Sequence, residues 1–277
     1  MDEYLGYPLF LWEGLASAFS TLVAGLIIAL VTTFYLKNRD EVTRVAGVIL
    51  EKRVNSEQEI LSYIEGISYS VQMPEREARK TLALLEQVGL PTPNAPFVQY
   101  AEVFDDLEHF DEFQKTFEQI ISSHKLWMSE KVRFHLQLMQ GYLSWINAGL
   151  LVSQQVPLPA GYTLTDENQD RIAKILLKLQ GVVLDMEFKR LIAELEVLMV
   201  DSIYHLNIKR PNRSLMRNGF WNRESRKLIR VLDHKTLLGQ IRHELFAISF
   251  IVTHQVKGLQ PDEKALDEFV SKLPERV

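Results

Sequence analysis

From Gly14 to Leu36 the chain reads GLASAFSTLVAGLIIALVTTFYL without one charged residue. No other feature narrows the possible folds so much. At about 1.5 Å rise per residue such a helix crosses a hydrocarbon layer roughly 30 Å thick with some tilt. Leu11, Trp12 and Tyr35 flank the run, and Trp and Tyr favour the headgroup level. A cleaved signal peptide would want a basic leader and a shorter apolar core. Here Asp2, Glu3 and Glu13 precede the segment and no Lys or Arg does. The expectation is an uncleaved transmembrane helix over 14–36, preceded by a short tail, 1–13.

Its flanks predict an orientation. Lys37, Arg39, Arg44, Lys52 and Arg53 follow closely. The bias of positive charge toward the cytoplasm places the tail outside and the remainder inside, at the cell membrane as a single-pass protein. Within the segment Ser17, Thr21, Gly25, Ala29 and Thr33 recur every four residues. Small side chains at this spacing let two helices approach closely, so a homo-oligomer is expected through this face. The polar residues Ser17, Ser20, Thr21, Thr32 and Thr33 cluster at the two ends and offer no continuous lining for a pore.

Beyond the anchor, apolar residues recur at three- and four-residue intervals and no long alternating pattern appears, which predicts an all-α fold. The anchor helix should continue through Val42, Val45, Val48 and Ile49. A new start is expected at Ser56, with Glu59 completing a capping box. Pro74 suits a first helical position and Gly89 a helix end. After the break Leu90–Pro96, helices are expected over 97–109, 111–123 and 126–151. The last carries an apolar stripe of Leu136, Met139, Leu143, Ile146 and Leu150. The proline- and glycine-bearing stretch Val152–Leu164 divides a stalk and first subdomain, 37–151, from a second, 165–277. Thr165 caps a long helix to about Asn207 with an interruption near Gly181. Helices over 222–232, 235–256 and 262–273 complete the chain. The apolar run Leu245–Val252 is too short to span a bilayer and belongs in a core.

Net charge is −5 and cysteine is absent, so neither global attraction to nucleic acid nor a disulfide or thiolate framework is implied. Against that balance Lys209, Arg210, Arg213, Arg217, Arg223, Arg226, Lys227 and Arg230 cluster, opposed only by Glu224 and interleaved with Phe220 and Trp221. Such a cluster suits a phosphate-bearing or other anionic ligand, RNA, an anionic lipid leaflet or a protein partner. The competing reading pairs it internally with the acidic stretch Glu102–Glu112.

The segment Ile60–Leu90 resembles the helix–turn–helix core of winged-helix domains, with Pro74–Val88 as recognition helix. That helix cancels Arg76, Arg79 and Lys80 against Glu75, Glu77 and Glu86, and Pro91–Pro96 stands where wing strands would follow. Helical packing is therefore favoured over DNA reading, and nucleic acid is the less favoured partner. Phosphate-cradling glycine loops and a nucleophile elbow are absent from the sequence. The Arg–His spacing of ribonucleases of the HEPN type is missed by both Arg226 and Arg230 relative to His234. Asp106 with His109, and Asp201 with His205, have helical spacing but not the Glu-x-x-His form of bundle metal sites, so no metal and no cofactor are expected. The function expected is a membrane-anchored, self-associating adaptor or effector that binds a protein or an anionic ligand. The alternative is a tethered enzyme acting on nucleic acid or nucleotide, with the basic cluster holding phosphate and His205, His234 or His243 moving protons.

Overall fold

The computed structural model describes residues 3–4, 7–90, 92, 97–204 and 218–271; for 3–16, 36, 38, 42 and 218–224 the description is of backbone alone. Strands β1 (Glu3–Tyr4) and β2 (Tyr7–Pro8) pair antiparallel ahead of α1 (Leu9–Glu65). There follow β3 (Ser70–Gln72), α2 (Glu75–Gln87), β4 (Gln99–Ala101), α3 (Leu107–His124) and α4 (Glu130–Val152). The chain then forms α5 (Asp166–Tyr204), α6 (Asn218–Lys235), α7 (Leu237–Gln240), α8 (Arg242–Val256) and α9 (Glu263–Ser271). Short 3-10 turns lie at Glu102–Phe104 and Ser153–Gln155. The fold is all-α, and the residues group into two units, Met1–Lys52 and Arg53–Val277.

In the first unit the described residues 17–35 are all exposed, Phe19 and Phe34 at 71% and Ile28 at 65%. Among the described residues this is one helix long and apolar enough to cross a membrane. Two of its hydroxyls turn inward to the helix backbone: Thr21 Oγ1 donates to the Ser17 carbonyl at 2.8 Å and Ser20 Oγ to the same oxygen at 3.2 Å. A polar side chain satisfied this way makes no demand on its surroundings.

In the second unit, helix α5 is the centre. Between Leu176 and Phe188 it is buried on nearly every side, with α4, α8 and the short ribbon packed around it. The stripe expected on α4 is buried as a whole: Leu136, Met139, Leu143, Ile146 and Leu150. So are Leu245, Ile248, Phe250, Ile251 and Val252 of α8. Ring contacts knit the region before α3 into this core. Phe104 meets Phe188 edge-on at 5.4 Å and lies 6.1 Å from Phe110, while Tyr63 stacks on Phe113 at 5.6 Å.

Several boundaries differ from expectation, each for a physical reason. Ser56 starts no helix: α1 runs through it, Ser56 is buried, and its neighbour Glu57 accepts the Ser202 hydroxyl proton at 2.6 Å. Arg53 binds nearby, donating to the carbonyls of Trp127 (3.1 Å) and Ser202 (3.0 Å). Burial raises the Glu57 carboxyl, held back by the Ser202 hydrogen bond and the Arg53 charge. Gly181 does not interrupt α5. It is a notch, since a Cβ there would lie 2.6 Å from Cβ of Phe104.

The expected helix over 97–109 is instead β4, a 3-10 turn and the start of α3. Strand β4 pairs antiparallel with β3, Ser70 opposite Ala101 and Gln72 opposite Gln99. Met73 N to Val98 O (2.9 Å) and Glu102 N to Tyr69 O (2.8 Å) lengthen this ribbon. Residues 111–123 belong to one helix with 107–110, because Asp106 accepts the Glu108 amide and caps it. Between the strands, Pro74 precedes α2 by one residue. Gly89 closes α2 at φ +75°, with Leu90 N bonded to Leu85 O at 2.9 Å. The segment 235–256 divides at Thr236, whose hydroxyl accepts the Gly239 amide at 3.1 Å to start α7. Glu187 of α5, buried, takes the next backbone donors, Leu237 N at 2.6 Å and Leu238 N at 3.2 Å.

Candidate polar trough beside α4

Helix α6 is attached to α4 through a missing side chain. A Cβ on Gly141 would lie 2.8 Å from Leu232 Cδ1 and 3.5 Å from Leu228 Cδ2, so these leucines nest directly against the α4 backbone. Beside this contact α4 presents polar residues at Arg133, Gln137, Gln140, Ser144 and Asn147, spaced by four and three residues along one face. They form the floor of two adjoining hollows that share Gln137.

The first hollow, about 390 Å³, is lined by Lys131, Arg133, Phe134, Leu198 of α5 and Lys227 of α6, among others. Lys227 Nζ lies 4.9 Å from the Phe134 ring centre, within range of a cation–π contact. Lys131 is paired with Asp201 at 3.1 Å. Arg133 and Lys227 make no ion pair with any described carboxylate. Arg133 and Lys227 line this hollow together with Glu130, and cations of this kind take a phosphate or carboxylate group in charge-assisted hydrogen bonds.

The second hollow, about 680 Å³, has Asp111, Gln114, Lys115 and Glu118 of α3 as one wall and Ser225 and Leu228 of α6 on the other side. Asn147 Nδ2 donates to Gln114 Oε1 at 3.4 Å across it. The trough as a whole is therefore basic at its Arg133 end, amide-lined in the middle and acidic along α3.

Of the cations singled out in the sequence, Lys209, Arg210, Arg213 and Arg217 lie outside the described residues. Arg223 sits on the described backbone of α6. Arg226, Lys227 and Arg230 are exposed on α6, and Lys227 enters the trough. The acidic stretch finds other partners: Lys178 pairs with Asp105 at 2.9 Å and Lys174 with Asp106 at 3.1 Å, both from α5. Tyr100 also donates to Asp105 at 2.6 Å. That hydrogen bond, with Lys178 and His109, holds the Asp105 carboxyl below its ordinary range, and burial with Asp105 beside it pushes the Tyr100 hydroxyl up.

The sequence reading missed Lys131, Arg133 and Phe134. Arg133 belongs to the polar row on α4, a pattern overshadowed by the apolar stripe beside it, whereas Lys131 and Phe134 lie off that row. Of the candidate acid–base groups, His205 lies outside the described residues. His234 is exposed, with Nε2 4.0 Å from Asp233 Oδ2, and His243 is half-buried on α8. No group of three metal-ligating side chains forms among the described residues. Along the anchor, Ser17, Thr21, Gly25, Ala29 and Thr33 are all exposed, and a Cβ on Gly25 would meet nothing within 4 Å. Nothing among the described residues therefore requires glycine at position 25.

No family model, curated protein or solved structure matches this chain.

Proposed function

We propose that this chain is a membrane-anchored helical adaptor or effector whose second unit binds an anionic group, carried by a protein or a small ligand, at the Arg133–Lys227 end of the trough. The observation that carries the reading is the exposure of every described residue from 17 to 35, including Phe19, Ile28 and Phe34. An apolar surface of that extent is stable only against lipid or another apolar surface. The basic flank after Leu36 favours an N-terminus outside and a cytoplasmic second unit. The small-residue series supports pairing of anchors in a homo-oligomer, with leucine and isoleucine toward lipid.

The test takes the full-length protein in its native membranes. Resistance to alkaline carbonate extraction, with protease added outside leaving the second unit intact, supports the anchored and oriented reading. Extraction into the soluble fraction overturns it. Binding of inorganic pyrophosphate to the nanodisc-embedded protein, measured calorimetrically and weakened by Arg133→Ala with Lys227→Ala, supports the anion site. Equal heats from wild type and the double variant reject it.

A further inference from the structure

Four carboxamides line the larger hollow of the trough: Gln114 on α3, and Gln137, Gln140 and Asn147 on α4. Those of Gln137 and Gln140 hydrogen-bond to no described residue, and the Asn147–Gln114 contact, at 3.4 Å, is long. A carboxamide offers a donor and an acceptor side by side, as a peptide group does. On the α3 wall Asp111 and Glu118 are exposed and pair with no described cation, and Lys115 stands between them in the helix. At the other end Arg133 and Lys227 share their hollow with Glu130, while Lys131 is already held by Asp201. Phe117, Leu143 and Leu228 supply the apolar part of the lining.

From this we infer that the trough holds an extended polypeptide segment of a partner protein, its main chain bonded by the carboxamides. An acidic side chain of the segment sits at the Arg133–Lys227 end and a basic one beside Asp111 and Glu118. The inference rests on the anion site proposed above and names what carries the anion. Length supports it: α4 from Arg133 to Asn147 is roughly 21 Å long at about 1.5 Å per residue, the span of six or seven extended residues at roughly 3.3 Å each. Peptide groups laid along it need donors and acceptors together, and the carboxamides supply both. The charges argue against other polymers. Nucleic acid or an anionic lipid surface repeats negative charge throughout and would meet Asp111 and Glu118, whereas a peptide changes sign within a few residues.

The experiment uses full-length protein in nanodiscs and the probe acetyl-Glu-Ala-Ser-Ala-Ser-Lys-amide, its binding read by saturation-transfer NMR with empty nanodiscs subtracted. A second peptide with lysine first and glutamate last covers the opposite chain direction, and the tighter of the two is carried forward. Methylating its two alanine nitrogens removes main-chain donors and keeps both charges. Binding should then weaken roughly tenfold, the worth of two hydrogen bonds partly open to water. Gln140→Ala with Asn147→Ala, shown to be folded by its thermal transition, should weaken the unmethylated peptide by a similar factor. Exchanging the peptide's lysine for glutamate should also weaken binding, and pyrophosphate should displace the peptide. Equal affinity of methylated and unmethylated peptide, or tighter binding of the all-acidic one, overturns the proposal. Pyrophosphate bound with neither peptide bound overturns this inference alone, and failure of all three removes the anion site with it.

Discussion

Lys227 on α6 holds its ammonium 4.9 Å from the centre of the Phe134 ring on α4, so the exposed side of α6 contributes one cation to the mouth of the trough. Arg133 lines the same hollow. Replacing Lys227 by Ala should weaken pyrophosphate binding roughly fivefold, as expected for one partly exposed charge, and raising the salt should erase the difference. Calorimetry at two ionic strengths checks this.

The Tyr100 hydroxyl gives a pH signature distant from the trough. Its hydrogen bond helps hold Asp105 below the ordinary carboxylate range. The stability it contributes is present above the ordinary value of 3.8 and is lost as pH falls through the lowered folded value. Tyr100→Phe should cost about 1 kcal/mol at pH 7, discounted because Asp105 is partly exposed, and much less near pH 2. Denaturant unfolding at both pH values measures the pair.

Glu57 has the opposite sign. Burial raises its carboxyl, so the native state takes up this proton before the unfolded chain does. Stability from this group is fullest below the ordinary value of 4.5 and declines as pH rises through the raised folded value. Glu57→Gln keeps an acceptor for Ser202 and removes the titration. The variant should equal or exceed wild type at pH 7 and lose that advantage near pH 4, as read from thermal unfolding across the range.

At Gly181 the prediction concerns volume. A methyl group placed 2.6 Å from Phe104 Cβ cannot be accommodated without moving α5 or the turn that carries Phe104. Gly181→Ala should destabilise the protein by about 1–3 kcal/mol, despite alanine's better helix propensity. A stable variant in denaturant titration would contradict the packing described.

For the anchor, Gly25→Ile with Ala29→Ile should lower the signal of a membrane dimerisation reporter several-fold. None of the described residues crowds Gly25, so the substitutions report on what lies across the helix face. An unchanged reporter signal would remove the small-residue series as a pairing surface.

Much of the helical architecture was readable because burial imposes a period. The α4 stripe and the apolar run of α8 are one-sided or continuous signals that secondary structure cannot disguise. Other features hide for definite reasons. A Ser-x-x-Glu pattern occurs as readily inside a helix as at its start, so Ser56 and Glu59 mimicked a cap while tertiary contacts to Ser202 and Trp127 held α1 straight through. Strands as short as β3 and β4 are below the length at which alternation shows. Gly181 looked like a break because its purpose, admitting Phe104, is set by residues far away in the chain. The trough was half legible. Lys227 stood out by charge density, but Arg133 drew no notice, since only the placement of α6 over Gly141 brings the two together.

That placement has a consequence for how the trough is dimensioned. The spacing between α4 and α6 is gauged by a hydrogen atom at Gly141, against which Leu232 and Leu228 rest. Substituting alanine or serine there would force the Leu232 methyl, or α6 with it, to shift. Because Lys227 rides on α6, any widening carries its ammonium away from Phe134, so the width of the opening and the position of one of its charges change together.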